Sequence, residues 1–82
     1  MLKIKAKNVD AALELLYLLS FNIEVWIVCK RSIIDQLTNS LDYRNIVYKN
    51  KIFTLYCNDG SRIFVTNDYN YQFDVAIQIT IL

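Results

Sequence analysis

The chain reads as a small α+β domain, a two-layer α/β arrangement of two helices on a mixed sheet in the order β-α-β-α-β-β-β-β. Three observations predict it. Apolar residues alternate with lysines over residues 2–6; two later stretches space their apolar residues three and four apart; and beyond Tyr43 only strand patterns recur, broken by an Asn58-Asp59-Gly60 turn. A β-α-β start predicts a parallel pair joined by a right-handed crossover, and the strands that follow predict an antiparallel meander on the same sheet. The 82 residues make one domain, 1–82, without linkers, repeats or low-complexity tracts.

Each element follows from local chemistry. Leu2, Ile4 and Ala6 against Lys3, Lys5 and Lys7 give a first strand with one wet face. Asn8 is placed to cap a helix over 9–20, with Val9, Ala12, Leu13, Leu16, Tyr17 and Leu19 as its apolar face and Asp10 suiting the dipole of its first turn. Residues 23–29 are apolar apart from Glu24 and rich in β-branched side chains, which predicts a central strand covered on both faces, with Trp26 in the core. Ser32 followed by Asp35 resembles a capping box opening a helix over 32–42, with Ile33, Ile34, Leu37 and Leu41 as its stripe. Residues 45–49, 52–57 and 61–66 read as strands. The Asp59-Gly60 pair between the last two tolerates positive φ and marks a hairpin. A polar and aromatic loop over 67–73 leads to a final strand over 75–82 that is nearly all Ile, Val and Ala.

Composition closes most routes to catalysis. There is no histidine, no proline and one glycine, Gly60, in a chain that is 55% hydrophobic. Histidine is the usual base near neutral pH and a common metal ligand, and phosphate-binding loops need several glycines. Ser20, Ser32, Ser40 and Ser61 lack a histidine partner, and Ser32 and Ser61 are explained by a cap and a turn exit. Asp59, Asp68 and Asp74 sit in a turn, a loop and a strand approach, and Glu24 is followed by Val25 and Trp26 rather than by the lysine a nuclease core wants. The sequence therefore implies no enzyme, no cofactor and no metal.

Cys29 and Cys57 each end an apolar run, where a thiol serves as a small buried hydrophobe; spacing alone leaves a disulfide between them open. The absence of a leader ahead of the first strand predicts a cytoplasmic protein, in the host cytoplasm if the source is viral. No apolar stretch is long enough to cross a bilayer, so no membrane partner is expected. Frequent Ile, Asn, Lys and Tyr with scarce Gly, Pro and Arg is the bias of an AT-rich genome, as in bacteriophages and other mobile elements.

Nine basic and eight acidic residues leave a net charge of +1, too little for a long-range field. Local clustering keeps a nucleic-acid reading in view: Lys30, Arg31, Arg44, Lys49, Lys51 and Arg62 interleave with Tyr43, Tyr48 and Tyr56, as on a sheet that stacks bases and neutralises phosphates.

The stretch from Ile52 to Phe64, an apolar strand, an Asn58-Asp59-Gly60-Ser61 turn and an Arg62-Ile63-Phe64 return, resembles the hairpin of phage terminase large-subunit ATPases. Residues 23–29 and 32–41 stand where that family has the preceding strand and helix, so the resemblance spans 23–82. It implies a related core without the activity. Lys5-Ala6-Lys7-Asn8 stands in place of a Walker A loop, and no acidic Walker B pair follows the last strand.

The function expected from these readings is a small non-enzymatic interaction module, an inhibitor or adaptor of a larger protein. A small core gains from added burial, which predicts a homodimer. The predicted interface is Tyr69, Tyr71 and Phe73 with Ile77, Ile79, Thr80 and Ile81 of the last strand, which is either inserted beside the central strand or, preferably, paired with its copy across a two-fold axis.

Overall fold

Why two helices and six strands assemble here is visible in the alternation of each strand. The computed structural model describes residues 2–19, 24–69 and 77–82. Its elements are β1 (Leu2–Ala6), α1 (Val9–Leu19), β2 (Glu24–Val28), α2 (Arg31–Asn39), β3 (Tyr43–Lys49), β4 (Ile52–Cys57), β5 (Arg62–Thr66) and β6 (Ile77–Ile81), the expected order. The strands form one mixed sheet in the spatial order β1-β6-β2-β5-β4-β3. Strands β1, β6, β2 and β5 run parallel, while β4 is antiparallel to both β5 and β3.

One face of the sheet carries the core. Ile79 and Ile81 of β6, Val25 and Ile27 of β2, Val65 of β5 and Leu55 of β4 are buried there against Ala12 of α1 and Leu37 of α2. Because strand side chains alternate, Trp26 falls on the other face from Val25 and Ile27. It is half-buried rather than in the core cluster, stacked on Phe64 of the neighbouring strand with centroids 4.3 Å apart.

The helices differ in detail from expectation. Asn8 caps α1 as predicted, its Oδ1 accepting from the Ala11 amide at 2.9 Å. Tyr17 is exposed rather than core, because it lies on the flank of the face set by Val9, Ala12 and Leu16. Ser32 does not cap α2. The chain enters the helix directly from β2, so Lys30 occupies the cap position with extended backbone and makes no side-chain cap bond. The helix stops at Asn39, where the Thr38 and Ser40 hydroxyls donate to the Asp35 and Gln36 carbonyls and compete with a further turn.

The main correction concerns β6. The meander ends at β5, and β6 is inserted between β1 and β2, with Leu2 opposite Ile77, Ile4 opposite Ile79 and Ile27 opposite Ile79. Both of its edges are paired within the chain, and Ile79 and Ile81 are fully buried. It cannot also pair with a copy, so the predicted two-fold interface through Ile77, Ile79, Thr80 and Ile81 does not stand. The helical crossover from β1 to β2 leaves one strand's width between them, and an uncharged strand fits that doubly flanked slot.

Two turns complete the sheet. Asn58-Asp59-Gly60 is a three-residue loop in which the Gly60 amide donates to the Cys57 carbonyl and the Cys57 amide to the Ser61 carbonyl. Only Gly60 has positive φ, 91°. The Asp59 carboxylate accepts from the Ser61 amide and hydroxyl, which holds its pKa below the usual value. The β3–β4 hairpin turns on Asn50 and Lys51, at φ 54° and 66°, the type I′ geometry matched to strand twist. Asparagine tolerates that region and lysine does not. Lys51→Gly is therefore expected to raise stability by about 0.5 kcal/mol, after glycine's larger unfolded-state entropy is set against the relieved strain, and a lower urea midpoint would contradict this turn.

Candidate interaction surface

Strand β3 is the edge of the sheet farthest from β1, and its sequence explains why it stays uncovered. Ile46 and Tyr48 share the face of Leu55 and Phe53, while Asn45, Val47 and Lys49 share the other, so its apolar residues are divided between faces. From Arg44 to Lys49 the core-facing side carries only the pair Ile46 and Tyr48, and the other side only Val47, so no long apolar row invites a helix. Ile46, Val47 and Tyr48 are 37, 43 and 53% exposed. The two-residue turn makes Lys49 and Ile52 a hydrogen-bonded pair, so by alternation Val47 and Asn45 also bond inward and the amides of Ile46 and Tyr48 face outward.

The surroundings of this edge are basic. From Arg44 to Lys51 every residue is exposed; Arg44, Lys49 and Lys51 are the charged ones, and no carboxylate interrupts them. Arg31 adds its guanidinium above the Phe53 ring, 5.7 Å from the centroid, and Tyr48 leans on the same ring at 4.4 Å. Lysines on an open edge also discourage pairing with like edges.

The residues set out as a nucleic-acid surface are only partly brought together. Lys30, Arg31, Lys49 and Lys51 gather where β2, β3 and β5 approach their far ends: the Thr66 hydroxyl donates to the Lys51 carbonyl and the Cys29 amide to the Thr66 carbonyl. Arg44 and Arg62 stand at the opposite end of their strands, and Arg62 is paired with Glu24 at 2.9 Å.

Of the predicted interface residues, Tyr69 is half exposed and its hydroxyl donates to the Ile81 carbonyl at 3.3 Å; Tyr71 and Phe73, with the expected start of the last strand at Val75, lie outside the described residues. Cys29 and Cys57 are buried and free of each other: β2 and β4 run antiparallel, which places the two thiols at opposite ends of the sheet. Burial pushes the Cys29 thiol up to about 11. No helix among the described residues is long and apolar enough to cross a membrane.

Sequence reasoning missed Ile46 and Val47. Their signal was present: three successive apolar residues between cations, with no preferred parity, mark a strand that no layer covers. Fold and surface together define a small two-layer α+β protein with an open, basic edge strand. Comparison with protein-family models, with curated proteins and with solved structures finds no match to this chain.

Proposed function

We propose that the protein is a small non-enzymatic adaptor that takes an extended, acidic segment of a larger protein onto β3 as a seventh strand. The exposed edge carries this reading: outward amides at Ile46 and Tyr48 supply main-chain bonds, and the apolar side chains beside them supply contact area. The charge decides the partner's class. A copy of β3 would bring Arg44, Lys49 and Lys51 against the same cations, whereas a segment carrying Asp or Glu is attracted. Two unpaired thiols fit work in a reducing compartment such as the cytoplasm.

The test is an amide-resolved NMR titration with a ten-residue peptide of alternating Val and Glu. Shifts are expected along residues 44–49, with affinity reduced at least tenfold by Ile46→Pro. That change removes an outward donor and leaves the β3–β4 bonds in place. Unchanged affinity in a folded Ile46→Pro protein would overturn the proposal. So would tight binding of a mixed oligonucleotide with steep salt dependence and no response to the peptide, the result expected of a nucleic-acid module.

A further inference from the structure

A concave feature lies at the amino-terminal end of β3, where the carboxyl-terminal half of α1 and the segment after α2 meet the Asn58-Asp59-Gly60 turn. It is a cavity of about 210 Å³. Leu13 and Leu16 of α1 with Val25 and Ile63 of the sheet give it an apolar floor, and Asp42 and Asp59 stand at its rim. This is below the usual range for drug-sized ligands, so the occupant is limited to a small molecule or a single side chain.

The rim has one sign. Neither lysine nor arginine is among the described residues lining the cavity. Asp42 accepts through Oδ1 from the Asn58 amide group at 3.1 Å, and Asp59 accepts through Oδ1 from Ser61, so the hydrogen bonds that position the carboxylates come from neutral donors. Their charge is therefore oriented but not neutralised. The free thiol of Cys57 lines the same space and reports the field: burial raises its pKa most, and the charges of Asp59 and then Asp42 raise it further against a hydrogen bond with Ser61.

We infer that this cavity binds a small organic ammonium, its charged end between Asp42 and Asp59 and its short apolar tail on Leu13, Leu16, Val25 and Ile63. The chemistry is a primary amine on a chain of about four carbons, carried either by a free amine or by a lysine side chain of another protein. An anion is repelled by both carboxylates, and a neutral alcohol gains only the floor.

The experiment compares butylammonium, 1-butanol and butyrate as probes, followed by amide shifts at Gly60 and Ser61 and by the alkylation rate of Cys57. Butylammonium is expected to bind at least about tenfold more tightly than butanol, the ratio of a single charge-assisted contact, and to shield Cys57 from alkylation. Asp42→Asn combined with Asp59→Asn keeps the Oδ1 acceptors for Asn58 and Ser61, so the fold should persist while the preference disappears. Equal binding of butanol and butylammonium, or a preference that survives in the folded double variant, would overturn the inference, as would no saturable shift with butylammonium up to about 10 mM. Nα-acetyllysinamide separates the sources: binding as tight as butylammonium supports a protein side chain, and exclusion with butylammonium still bound supports a free amine.

Discussion

Removing residues 77–82 is expected to leave a chain that does not fold cooperatively, seen as loss of a thermal transition and of dispersed amide signals. This segment carries β6, and β6 is the one strand that joins β1 to β2. Without it β1 has no hydrogen-bonded neighbour, and α1 loses part of the surface on which it packs. A graded version is Ile79→Ala. Ile79 is fully buried, so its truncation costs the lost transfer energy plus a cavity, about 3 kcal/mol. That is a large part of the stability of a domain of this size, about 4–12 kcal/mol. The urea midpoint should fall accordingly, because β6 is paired on both edges within one chain. A change of about 0.5 kcal/mol or less would contradict the central placement of Ile79. Thr80→Lys, which sets a second ammonium opposite Lys5, should destabilise the β1–β6 pairing within the chain.

Gly60→Val is expected to cost about 2 kcal/mol and to lower the melting temperature by about 10 °C. Gly60 sits at φ 91°, where a β-branched side chain is strained, and its amide closes the loop onto Cys57. Asparagine visits this region more readily, so Gly60→Asn should fall between the two. An unchanged melting curve for the valine variant would contradict the turn geometry.

How much was legible in the sequence depended on whether the deciding signal was local. The Gly60 hairpin and the Asn8 cap were, because a single residue type answers a single backbone need at each. The Asn50-Lys51 turn was not: lysine at positive φ is a strain imposed by the twist of two strands, and composition does not announce it. For β6 the alternation of Ile77, Ile79 and Ile81 said that the strand must be flanked, but the identity of its neighbours is a long-range property. A slot inside the same sheet and a copy across a symmetry axis present similar apolar walls. The candidate surface was harder to read. Arg44, Tyr48 and Lys49 were singled out for nucleic acid, and only the sheet order shows that they line an open edge.

The position of β6 also constrains how the protein reaches its native state. Leu2 pairs with Ile77, so β1 cannot enter the sheet until β6 has been synthesised. Synthesis delivers β1 and α1 ahead of β2, α2 and the β3-β4-β5 meander, whose pairings span shorter stretches of chain. Closure of so long a loop is entropically slow. Lys3, Lys5 and Lys7 lie on β1 and its exit, so the strand with the most distant partner carries charges that oppose pairing with a like strand.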